Sequence, residues 1–241
     1  YLFHLILDTL CSHNSDSSAE FTIQKMMEQA RILIKKRLIT SALKLIAKAR
    51  QEALKSELFP EALSALTLAI NAAYFHSAVE YKKAVEDSFK MEKSVIEKYN
   101  NLIQYRRLEK EIRIIEMKDI TNRNKEFFPL FWKILKHPLL QDESAALSFR
   151  AKYFFFLIKA NCYRCLADIE KAYRYGQKLL AIFEAGQAAR LEPMETYRVK
   201  MYLNSLYHMV VTQTLLGKLT DALETTRKIK EIIKSDSQFT K

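Results

Sequence analysis

Along most of this chain, apolar residues recur every three or four positions, the period of a helix with one buried face. The pattern is clearest from Phe154 to Phe183, FFFLIKANCYRCLADIEKAYRYGQKLLAIF. It predicts two amphipathic helices joined by a tight turn near Leu166-Ala167-Asp168. Ala160 and Ala172 stand twelve apart, one on each helix. Small side chains at those places let two antiparallel helices pack closely, while Tyr163 and Leu179 fill the space between neighbouring hairpins.

The same arrangement returns along the chain. Residues 17–36 and 38–57 form a first hairpin, with Ala30 and Ala42 twelve apart. Residues 60–76 and 78–99 form a second around Ala72 and Ala84; Pro60 suits a first helical turn, and Tyr99-Asn100-Asn101 is the expected break. Residues 101–118 and 122–136 give a degenerate third hairpin, because Ile115 and Phe127 take the small positions. Its aromatic patch, Phe127, Phe128, Phe131 and Trp132, is interrupted by Pro129 and ends at His137-Pro138. Residues 142–165 and 168–186 form the fourth, with Asp142 and Ser144 as caps and Gly186 as a helix end. Residues 193–216 and 219–234 form the fifth around Val210 and Ala222, followed by a polar tail from Ser235. Leu2, Leu5, Ile6 and Leu10 make one side of a short helix over 1–13, ahead of a Ser-rich polar stretch. The expected division is an N-terminal helix within 1–16 and one helical repeat domain over 17–241.

The paired small residues and the turn between them resemble the tetratricopeptide repeat (TPR), a helix–turn–helix unit of about 34 residues. The steps here are longer: 42 residues from Ala42 to Ala84, 88 from Ala84 to Ala172 and 50 from Ala172 to Ala222. The helices must therefore be longer, as in the variants found in peptide-sensing bacterial regulators and kinesin light chains. The consensus tryptophan, glycine and proline are mostly absent. The resemblance implies an all-α fold, a right-handed superhelix of about five antiparallel helical hairpins, with the first helix of each hairpin lining a concave groove. It brings Arg31, Lys35, His76, Asn161, Arg164, Asn204, Tyr207 and His208 to that groove. Arg and Asn supply fixed donors for a carboxylate or for backbone amides. The family's carboxylate-clamp pattern is not reproduced.

Composition narrows the function. Three Gly and four Pro are too few for a sheet-rich fold with many turns. They also leave no glycine-rich phosphate loop. Cys11, Cys162 and Cys165 form no disulfide framework, which points to a reducing cytoplasm. Cys162 and Cys165 lie one turn apart inside a predicted helix, where small residues pack. The five histidines, among them His4, His13 and His137, share no metal-ligand spacing. No metal, cofactor or enzymatic activity is expected. No apolar run reaches the roughly 20 residues of a membrane span, and a chain opening on Tyr1 reads as part of a longer protein. A formal charge of +11 attracts anionic partners. Residues 82–125 are rich in Lys and Arg, but glutamates interleave three and four apart, the spacing of ion pairs on a helix surface. The expected function is a non-enzymatic protein- or peptide-binding scaffold or sensor. The alternatives are a helical-repeat nucleic-acid binder and a homodimer formed through end hairpins or the Phe127–Trp132 patch.

Overall fold

The computed structural model describes residues 19–118, 125–184 and 196–235. The N-terminal helix expected over 1–13, Gly186 and the tail beyond Ser235 lie outside them. Among the described residues there are nine α-helices and no strand. They are α1 (Ala19–Lys35), α2 (Ile39–Lys55), α3 (Phe59–Ala73), α4 (Ala78–Lys118), α5 (Phe128–Leu135), α6 (Phe149–Cys165), α7 (Ile169–Glu184), α8 (Thr196–Leu215) and α9 (Leu219–Ser235). Single turns of 3₁₀-helix occupy Lys125–Phe127, Pro138–Leu140 and Glu143–Ala145. The fold is all-α, with successive helices packed on one another across tight turns. It divides into two compact units, one ending at Asn100 and the other beginning at Asn101.

In the first unit, α1, α2 and α3 pack in sequence. Ala30 and Ala42 are both fully buried where α1 and α2 cross, so their lack of bulk sets the approach of the two helices. Ile23, Ile46, Phe59 and Leu66 fill the core around them. Pro60 sits in the first turn of α3, where its missing N–H costs nothing. The ring of Phe59 lies 6.1 Å from that of Tyr99 on α4.

In the second unit, α6 packs on α7, α7 on α8, and α8 on α9. Ala160 and Ala172 are buried at the α6–α7 crossing and Ala222 on α9. Gly176 adds a closer approach, since a Cβ there would stand 2.8 Å from the Met209 sulfur. Tyr105, Leu108, Ile112 and Ile115 give α4 an apolar stripe at helical spacing. It joins Phe131, Phe155, Phe156 and Phe183 in one core.

Four connections share one geometry. Arg37, Glu57, Ala167 and Gly217 have φ of 60°, 53°, 60° and 72°. In each, the next residue's N–H reaches back to the carbonyl five positions earlier: Leu38 to Leu33 at 2.9 Å, Leu58 to Ala53 at 2.8 Å, Asp168 to Tyr163 at 2.9 Å and Lys218 to Gln213 at 2.9 Å. This is the left-handed helix stop that satisfies the last carbonyls of a helix. Three of the four positions carry a side chain where glycine is favoured.

The structure departs from the sequence pattern at three places. No break falls at Tyr99-Asn100-Asn101; α4 runs through it for 41 residues in all. Asn101 is tolerated in mid-helix because its side chain is occupied elsewhere: Nδ2 donates to the Ala145 carbonyl at 2.9 Å, and Oδ1 accepts from Leu147 N–H at 3.1 Å. The fourth hairpin does not begin its helix at 142. Asp142 caps only a 3₁₀ turn through Ser144, and Ser148 Oγ caps α6 by accepting from Ala151 N–H at 3.2 Å. Pro129 does not interrupt the aromatic patch; it lies in the first turn of α5. That helix buries Phe131 and leaves Trp132 exposed, edge-on to Tyr163.

Candidate functional site

The eight residues assigned to a groove fall in both units. Arg31 is exposed on α1 and pairs with Glu28 one turn earlier, at 3.1 Å. Lys35 is exposed in the last turn of α1. His76 lies beyond the end of α3, in the turn before α4, with its N–H on the Ala73 carbonyl. It is therefore not on a helix face.

The second unit gathers the other five with partners that sequence reading did not select. On α4, Glu109, Arg113 and Glu116 lie at i, i+4 and i+7, beside the buried stripe. Glu109 is only 4% exposed, and its carboxylate accepts from Arg113 Nε at 2.8 Å and faces Lys110 Nζ at 3.1 Å. The hydrogen bond to Glu109 raises the Arg113 guanidinium above its ordinary pKa, with the Glu116 and Tyr153 charges adding to it. Glu116 receives Arg164 Nη2 from α6 at 2.6 Å, and the Cys165 sulfur lies 3.5 Å from the same oxygen. One turn before Arg164, Asn161 is 2% exposed, and its Oδ1 is buried without a hydrogen-bond donor. From α8, Asn204 Nδ2 donates to Tyr153 Oη at 2.7 Å. Tyr207 is 61% exposed, with its ring edge-on to His208. His208 is half-buried. Burial, with the Arg164 and Arg113 charges nearby, lowers its pKa to about 4, so the ring is neutral at pH 7.

The cluster thus holds two carboxylates matched by two guanidiniums and surrounded by neutral amides, a phenol and an imidazole. It offers directional donors and one unmet acceptor. Burial pushes the Cys162 thiol far up, so that it stays protonated. Among the described residues, no group of three or more His, Cys, Asp or Glu is placed to hold a metal, and no helix is long and apolar enough to cross a membrane. Glu109, Arg113 and Glu116 escaped the sequence reading because their spacing is also that of exposed ion pairs, such as Lys82–Glu86 at 4.0 Å. The usable signal was that they flank the apolar run Tyr105, Leu108, Ile112 and Ile115.

No family model matches the chain, and no curated protein matches it. Two solved structures do: a Podospora anserina kinesin light chain–type protein with nearly identical TPR-like repeats, and a point variant of that same protein. They are 15% and 16% identical to this chain, cover 88% of it and 94% of their own length, and superpose with a TM-score of 0.33.

Proposed function

We infer that this chain is a non-enzymatic protein- or peptide-binding scaffold or sensor, and that in its second unit the ligand lies against Asn161, Arg164, Asn204, Tyr207 and His208. The observation that carries this reading is Arg164, whose partly exposed guanidinium gives one N–H to Glu116 at 2.6 Å and lies near His208. An extended peptide presents carbonyl oxygens that such a donor can hold. Arg164 has further N–H groups beyond the one given to Glu116. Arg31 and Lys35, exposed on α1, are the corresponding candidates in the first unit.

The test is capture from lysate, with and without nuclease, on immobilised residues 1–241, compared with Asn161→Ala, Arg164→Glu and the surface control Lys82→Glu. A protein partner held by the wild type and the control, and lost by the other two, supports the reading. Recovery of nucleic acid alone, released at high salt as phosphate contacts are, overturns it.

A further inference from the structure

We propose that an open trough between the start of α6 and the end of α7 is a second binding site, for an amphipathic helix of a partner protein that carries acidic residues beside its apolar stripe. It goes beyond the reading above and uses none of its residues. The trough measures about 690 Å³. Leu147, Phe149, Phe156 and Ile182 make its apolar lining, and Lys152 and Lys178 stand exposed on it.

The segment that leads into α6 forms one wall: after the 3₁₀ turn Glu143–Ala145 the chain runs extended through Ala146 to the Ser148 cap, and Leu147 is left exposed.

The shape and charge of the site select among occupants. A trough open along one side suits a ligand with one apolar face and one wet face, as an amphipathic helix has; an acyl chain would leave half its surface in water. Lys152 and Lys178 bring two exposed ammonium groups to the trough, one from α6 and one from α7. The exposed acid at the site is Glu143, at 4.0 Å from Lys152, a distance that holds the ammonium only weakly. A second copy of this chain is disfavoured, because each copy carries +11.

A displayed library of helical peptides about 16 residues long, some four turns, panned on the whole chain and counter-selected on Ala181→Trp, tests the proposal. Ala181 is an exposed residue of the lining, so the indole fills the trough without entering the core. The expected winners repeat apolar residues at helical spacing with Asp or Glu alongside. In fluorescence anisotropy their synthetic forms bind the wild type and Asn161→Ala alike. They weaken at least tenfold on Lys152→Glu/Lys178→Glu and tighten on Glu143→Gln, while far-UV circular dichroism stays unchanged. Three results overturn it: no enrichment over Ala181→Trp, winners without acidic residues, or binding indifferent to the lysine reversals. Binding of sodium dodecanoate in the trough with no peptide enrichment does so too.

Discussion

Single residues decide how each hairpin turns. Arg37, Glu57 and Ala167 occupy left-handed backbone that costs an L-residue roughly 1 kcal/mol more than glycine. Ala167→Gly is therefore expected to stabilise by about 0.5–1 kcal/mol, and Gly217→Ala to destabilise by a similar amount, in urea titrations. Opposite signs at two turns of the same geometry make the pair diagnostic; equal signs would refute the shared strain. His208 supplies a pH dependence. Its folded pKa of about 4 lies below the ordinary value of 6.5. Between those values the unfolded chain binds the proton and the folded one does not, so stability rises with pH through that window. The contribution is fully present above about pH 6.5 and lost as pH falls toward 4; its size is roughly 2–3 kcal/mol. His208→Gln should flatten that part of the stability–pH curve, and an unchanged slope would assign it to other groups.

Between elements, close approach is set by small residues and by one cross-helix ion pair. Gly176→Leu pushes the Met209 side chain away and separates α7 from α8. A loss of about 1–3 kcal/mol is expected from such overpacking. The α4–α6 contact holds a different kind of pair. Glu116 and Arg164 side chains are only 16% and 22% exposed, so removing one strands the other. Arg164→Leu alone should cost about 1–3 kcal/mol. Glu116→Leu combined with it should recover much of that loss, since an apolar pair of similar volume leaves no orphan charge. A double-mutant cycle that comes out additive would show the two side chains to be independent. The small-residue crossings were legible in the sequence because alanine twelve residues apart has few other uses in a hairpin. The ion pair was not, because Glu116 and Arg164 are 48 residues apart and share no local pattern.

For the molecule as a whole, the division at Asn100 has a measurable consequence. Trp132 is the sole tryptophan and belongs to the second unit. Its fluorescence reports that unit, whereas far-UV circular dichroism reports every helix. Helical repeats depend mainly on nearest-neighbour contacts. Ala42→Leu, overpacked at the α1–α2 crossing, should therefore lower the midpoint of part of the dichroism transition and leave the Trp132 midpoint in place. Coincident shifts of both signals would mean that the two units unfold as one.

The amino-acid sequence by itself determined the helical class, the buried pairs Ala30–Ala42 and Ala160–Ala172, and the turns of the first, fourth and fifth hairpins. These follow from period, side-chain size and chain direction among residues close along the chain. Tertiary structure decided where helices stop and which polar groups meet. Asn101 continues α4 because Ala145 and Leu147 satisfy its amide from 44 and 46 residues away. α5 ends at Leu135, and the chain passes through two 3₁₀ turns before α6 begins. Glu116 meets Arg164, and His208 comes near the Arg113 and Arg164 charges, only when α6 and α8 pack beside α4. Local sequence sets which face a side chain takes on its helix; the packing of helices sets what that face meets.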